Sequence, residues 1–311
     1  SDTLQLDYRL ADVHRAMTEL LLEIARSCDG VRCDMAMLVL NEVFRRTWAG
    51  FPGTRPVPER EFWDQAIGKV KEAYPGFLFL AEAYWGLEPR LQALGFDYTY
   101  DKELYDKLMA GDAQGVQRHL LGLSSETLGR GAHFLENHDE PRVATRLSAA
   151  QHCAAALLIL GLPGMRFLHE GQLSGARLRL PVQLGRRSVE LEQPEIRRMY
   201  EQFLTALKAT SVGRGSARVL TNEPATGDCV FIQWEARATD FDVVAVNLTN
   251  RRHHCRVELT LPQPNEGEWE MSDLAATDKQ PPHSLPLVNG VLELDLPEFG
   301  AQLLHFQRGE A

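Results

Sequence analysis

Three carboxylates stand where apolar segments turn abruptly polar. Asp34 closes Asp29-Gly-Val-Arg-Cys-Asp34, Glu82 closes Phe77-Leu-Phe-Leu-Ala-Glu82, and Asp139 closes Ala132-His-Phe-Leu-Glu-Asn-His-Asp139. Short continuous apolar runs suit strands buried on both faces, and in a barrel of parallel strands the carboxyl ends open into a common mouth. One acid so placed reads as a helix cap or a solvated loop residue. Three in succession read as converging carboxylates, able between them to give a proton, take one up and stabilise a developing charge. Arg32 lies two residues before Asp34 and, by strand alternation, faces the same side. Glu82 stands among Phe79, Leu80, Tyr84 and Trp85, an apolar setting expected to suit it to carry a proton.

These segments resemble, in order, three signature regions of the α-amylase family of glycoside hydrolases: an Arg two residues before the first acid, a Glu at a strand end, then Asn137-His138-Asp139. The resemblance implies a retaining mechanism on α-glucosidic bonds, with Asp34 as nucleophile, Glu82 as general acid/base and Asp139 as transition-state stabiliser. It also implies that Arg32 and His138 contact the nucleophile and the sugar. Asn137, Trp85 as a stacking platform and His169 at a later strand end complete the expected substrate-binding set. In this mechanism one carboxyl protonates the leaving oxygen while the other, about 5–5.5 Å from the first, attacks the anomeric carbon. Where some family members carry a sugar-contacting Lys-His pair, this chain has Met37 and Leu38, so its acceptor side is expected to differ.

The elements that must position these groups alternate helix and strand. Apolar residues at helical spacing predict a helix over Asp12–Ser27, another over Glu59–Ala73, and more from Asp101 through Met109, over Asp112–Leu123, Ser148–Leu160 and Val189–Val212. Met35–Phe44 reads as a buried helix or turn, and Ser124–Gly131 as a loop. Strands are expected at Val31–Asp34, Phe77–Glu82, Gly95–Tyr100, Ala132–Asp139 and Met165–His169. Turn residues in Pro52–Pro58 and Gly213–Ser216 mark a loop and a linker. Beyond the linker come short alternating strands at Arg218–Leu220, Cys229–Glu235, Asp242–Asn247, Cys255–Leu261, Val291–Leu296 and Ala301–Gln307, the pattern of an antiparallel sandwich. The fold class expected is therefore α/β: a partial (β/α)8 barrel over residues 1–213, holding strands four to eight, followed by a β-sandwich domain over 217–311. The family's first signature, an Asn-His pair on the third strand, has no counterpart. A complementing N-terminal segment or a homodimer is the partner this implies, because a five-stranded parallel sheet would leave two open edges.

Composition bounds the rest. The 311 residues carry 33 basic and 43 acidic side chains, a formal charge of −10, which argues against nucleic acid or an anionic membrane as partner and suits a neutral α-glucan or α-glucoside. Five scattered cysteines, Cys28, Cys33, Cys153, Cys229 and Cys255, without Cys-x-x-Cys spacing, read as thiols in a reducing compartment. With no leader or spanning run in view, a cytoplasmic location is expected. No cofactor is implied and no metal-ligand set is recognised, although calcium stays open. Two other readings share these residues: a transglycosidase on the same scaffold, and a catalytically incomplete glucan-binding relic.

Overall fold

The computed structural model describes residues 4–51, 58–181, 186, 188–261, 269–276, 283–285, 287 and 290–308, and every statement below concerns these. Pro264-Asn265, Gly267 and Asn289, turn-forming residues between the expected C-terminal strands, and Pro52–Val57 of the first loop lie outside them. The chain forms two compact units: residues 1–102 with 130–132, and residues 103–129 with 133–311.

The first unit runs α1 (Ala11–Ala25), β1 (Gly30–Cys33), a 3-10 turn (Ala36–Val39), α2 (Asn41–Thr47), α3 (Phe62–Ala73), β2 (Leu78–Ala81), α4 (Glu88–Ala93) and β3 (Tyr98–Tyr100), and it includes most of β4 (Gly131–His133). The strands pair in parallel in chain order: Arg32 stands against Leu80, Leu80 against Tyr98, and Thr99 against Gly131. Gly30 lets β1 and β2 approach closely, since a Cβ there would lie 2.8 Å from the Leu78 carbonyl oxygen. The helices cover one face of this sheet with an aromatic core. Trp63 meets Phe96 edge-on at 4.9 Å, Tyr8 meets Phe62 at 5.0 Å, and Phe77, Phe79, Ile67 and Val70 are buried with them. Aromatic pairs of this geometry add to the stability their buried area confers. Asp97 takes a structural part here, accepting from the Phe79 amide at 2.8 Å and pairing with Lys71.

The second unit holds α5 (Lys102–Ala110), α6 (Ala113–Gly122), α7 (Ser125–Gly129), α8 (Val143–Arg146), α9 (Ala149–Gly161), the short β5 (Met165–Arg166), a 3-10 turn (Gln172–Ser174) and α10 (Pro194–Leu207). Then come β6 (Ser216–Leu220), β7 (Asn222–Glu223), β8 (Cys229–Glu235), β9 (Asp240–Asn247), β10 (His253–Glu258), β11 (Trp269–Asp273), β12 (His283–Leu285), β13 (Val291–Leu296) and β14 (Ala301–Arg308). Six antiparallel strands in the order β12-β11-β14-β9-β8-β6 face three in the order β13-β10-β7. Strand alternation splits β8 and β9 cleanly. Cys229, Phe231, Val243 and Ala245 fill the core between the sheets, whereas Val230, Ile232, Trp234, Val244 and Val246 fill a second core against the helices. Ser148 caps α9 in a reciprocal box with Gln151. At the other end of α9 Gly161 touches the sheet: a Cβ there would sit 2.7 Å from a Val244 methyl, and Trp234 Nε1 donates to its carbonyl at 2.7 Å.

Several expected boundaries move, for local reasons. The loop expected at Ser124–Gly131 contains the helical turn α7, opened by Ser124, whose hydroxyl accepts from the Thr127 amide. The apolar run to Asp139 is a strand only as far as His133; Phe134 and Leu135 are buried inside the turn that follows, so their apolarity serves packing and not pairing. Likewise β5 ends at Arg166, short of His169. The closing helix begins at Pro194, whose ring fits the first helical turn, rather than at Val189, and ends at Leu207. The helix α4 and the strands β7, β11 and β12 had no sequence counterpart.

Candidate active site

In the first unit the chemistry gathers just beyond the ends of β1 and β2. The backbone there is tightly tied: the Glu82 amide donates to the Cys33 carbonyl and the Ala36 amide to the Glu82 carbonyl, each at 3.0 Å. Arg32 reaches across with both terminal nitrogens. Nη2 lies 2.9 Å from Glu82 Oε2 and Nη1 lies 3.3 Å from Asp34 Oδ2. Its Nε donates to the Tyr100 hydroxyl at 3.3 Å, which fixes the plane of the fork. Glu82 is not in the apolar setting its sequence neighbours suggest. Its carboxylate also accepts from the Tyr84 hydroxyl at 2.7 Å and from the Met35 amide at 2.8 Å. The two acids differ in access: the Asp34 side chain is 76 % exposed and that of Glu82 5 %. Trp85 is 62 % exposed, and its backbone takes a φ of +66°, costly for a bulky L-residue.

In the second unit the Asn137–Asp139 triplet rides on a cross-braced turn. Asn137 Oδ1 accepts from the amides of Asp139 and Glu140, both at 2.9 Å, and its side chain is buried. Half-exposed His138 and Asp139 pair at 2.9 Å. Beneath them Glu136, wholly buried, accepts from Arg142 Nη1 at 2.6 Å and from the Val143 amide at 2.7 Å, so one carboxylate joins the two ends of the turn. Arg142 also donates to the carbonyls of Glu170 and Leu178 and lies 2.9 Å from His169 Nδ1. Burial and the Arg142 charge together hold the His169 imidazole below its ordinary pKa, against the raising effect of Glu136.

The expected site residues thus fall into two gatherings: Arg32, Asp34 and Glu82 in one unit, and Asn137, His138, Asp139 and His169 in the other. The sequence reading passed over Tyr84's hydroxyl, Glu136 and Arg142. Their signal was a charged residue on each side of the Asn-His-Asp triplet, directly after an apolar run that had no reason to carry one.

No protein-family model matches the chain. An α-amylase, MalA, from Haloarcula japonica is 29 % identical over 172 residues, an alignment that spans 53 % of this chain and 23 % of that protein. In sequence, then, the chain is similar to part of an α-amylase. Its fold agrees. A noncanonic maltogenic α-amylase from Thermotoga neapolitana superposes on 99 % of this chain and 68 % of its own, with a TM-score of 0.73 and 19 % identity. An α-amylase from Lactobacillus plantarum matches 98 % of this chain and 69 % of its own, with a TM-score of 0.68 and 21 % identity. The chain therefore spans about two-thirds of the α-amylase structures it resembles, and under a quarter of the curated α-amylase. The sharpest local feature of the first unit is one guanidinium shared between an exposed and a buried acid. Among the described residues no group of three or more His, Cys, Asp or Glu is placed to hold a metal ion, and no helix is long and apolar enough to cross a membrane.

Proposed function

We propose that the chain is a retaining α-glycosidase acting on α-glucosidic bonds in maltooligosaccharides, starch-like glucans or small α-glucosides. Asp34 is the nucleophile, Glu82 the general acid and then base, and Asp139 the carboxylate that steadies the charged sugar. Residues 1–213 supply the catalytic portion, whose parallel strands correspond to strands four to eight of a (β/α)8 barrel, and 217–311 the accompanying β domain. A complementing N-terminal segment, or a second copy of the chain, completes the barrel.

The observation that carries this reading is Arg32, set 3.3 Å from Asp34 and 2.9 Å from Glu82. Displacement at an anomeric carbon needs two carboxyl groups held at a fixed spacing in different roles. A fork bonded to both supplies the spacing, and the difference in access supplies the roles. Exposed Asp34 is open to a sugar carbon. Glu82 is oriented by Tyr84 and the Met35 amide, so that the carboxyl cannot swing when its proton leaves. Neither step requires a cofactor. In the first, the glycosidic bond breaks as Asp34 bonds to carbon and Glu82 protonates the departing oxygen; in the second, Glu82 takes a proton from water as the water oxygen bonds to that carbon and the bond from carbon to Asp34 breaks, which releases the sugar and restores both carboxyl groups.

The test is release of reducing sugar from maltooligosaccharides and from an aryl α-glucoside, with Glu82→Gln as control. Release by the unaltered chain and not by the variant supports the assignment. Sugar transfer to an added glucoside in place of release would make the chain a transglycosidase, and binding without turnover a glucan-binding protein.

A further inference from the structure

His169 lies over a pair of opposite charges and lines a recess with Leu168, Gly171, Leu173, Tyr200 and Leu204. Its place is fixed from behind: its amide donates to Gln172 Oε1, and Gln172 Nε2 donates to the Tyr200 hydroxyl at 2.7 Å. Its Nδ1 has two neighbours, Arg142 Nη1 at 2.9 Å and Glu136 Oε1 at 3.3 Å. Arginine has only donors. A proton on Nδ1 would therefore point at a cationic N–H at 2.9 Å, whereas a lone pair there receives one. Arg142 Nη1 has two hydrogens for three acceptors, Glu136 Oε1, the Glu170 carbonyl and Nδ1, so one hydrogen is shared. A shared hydrogen still favours the lone pair.

We propose that Arg142 fixes His169 as the neutral tautomer with its proton on Nε2, so that the ring offers a donor and not an acceptor to a ligand in the recess. Nε2 has no partner among the described residues. Which ligand takes that donor rests on the reading under Proposed function, where it is a sugar hydroxyl. Arg142 is then a positioning residue, acting through His169 and, through the Glu136 tie, on the turn that carries Asp139. The groups that face the ring are Arg142 and Glu136 from the turn, and His138 beside them. Glu170 adjoins it, and Arg197, Tyr200 and Glu201 line the recess from α10. The direction in which burial and Arg142 move the imidazole agrees with a ring that is neutral at neutral pH.

Nitrogen-15 NMR of the histidine side chains of the whole chain, with His169 assigned through His169→Gln, tests this. At neutral pH, Nδ1 of His169 is expected to be unprotonated and Nε2 protonated. A proton on Nδ1, or a charged ring at neutral pH, overturns the proposal. Glu136→Gln keeps an acceptor for Arg142 and is expected to leave the tautomer as it was; a switch in that variant would make Glu136 the controlling group and overturn it too. In Arg142→Leu the proton is expected to move to Nδ1, facing Glu136, and the titration midpoint to rise by about one pH unit or more. A folded Arg142→Leu with no change sinks the idea, and if that variant does not fold, the first two spectra decide. Added maltotriose is expected to shift the Nε2–H signal. The expected tautomer without that shift upholds the role of Arg142 and removes the sugar as ligand.

Discussion

Two arginine–carboxylate centres invite comparison. Arg32 shares its fork between Asp34, which faces solvent, and buried Glu82, while Arg142 and Glu136 are both buried, at 8 % and 0 % side-chain exposure. The chemistry of the pairs is the same and their work differs. A guanidinium that meets water can release one carboxylate to a substrate at little cost. A sealed one cannot, because a buried charge left without its partner is expensive. On the proposed function the first centre is the one that reacts; the sealed centre holds a turn.

The strongest way to break this contrast is to separate activity from stability. Glu82→Gln is expected to lower kcat by about 10²–10⁴-fold, the usual worth of general acid–base catalysis, with the unfolding midpoint nearly unchanged. Arg142→Leu should do the reverse, losing about 3–5 kcal/mol in urea unfolding because Glu136 is stranded, whereas Arg32→Leu should lose less, about 1–2 kcal/mol, because buried Glu82 keeps two other donors, the Tyr84 hydroxyl and the Met35 amide, and exposed Asp34 turns to water. Equal losses at the two arginines would end the distinction.

A third experiment sharpens the picture of the sealed side. His152 is buried behind Tyr200, whose hydroxyl lies 2.9 Å from its Nε2, and burial depresses its pKa from 6.5 to about 4. Between those two values the unfolded chain binds a proton that the folded chain refuses. Stability is therefore intact above about pH 6.5 and falls as pH drops toward 4, by roughly 2–4 kcal/mol in all. His152→Gln should flatten that part of the stability–pH curve; an unchanged slope would place the acid sensitivity elsewhere. A small effect is expected from Trp234→Phe, which leaves the Gly161 carbonyl without its indole donor and should cost about 1–2 kcal/mol in thermal or urea unfolding.

The sequence showed the helices and the acids far better than it showed their supports. Cys229–Glu235 and Val291–Leu296 were legible to the residue, since alternation and flanking turns bound them on both sides. The apolar run through Phe134 and Leu135 misled, because burial inside a turn and burial inside a strand leave the same trace in composition. At the site, Arg32 and Asp34 were readable together because strand alternation fixes which side chains share a face. The donors around Glu82 were not. One of them is a backbone amide, presented only because Met35 takes a φ of +44°, and a backbone conformation of that kind leaves no mark in residue type. Glu136 and Arg142 escaped for another reason: six residues apart on a turn with no regular period, nothing in their spacing told that they would meet.

The double-faced burial of β8 and β9 has a consequence for how the chain comes apart. Gly213–Ser216 reads as a hinge between a helical part and a sheet part, yet Val230, Ile232, Val244 and Val246 belong to the same core as Leu157, Leu158 and Phe203. A protease that nicks at Arg214 would cut the covalent string without separating the pieces. The fragments are expected to elute together on gel filtration under native conditions, and each on its own to aggregate through the apolar face the other had covered. The linker is punctuation in the sequence, but the helices of the second unit that precede it and the strands that follow it share one core.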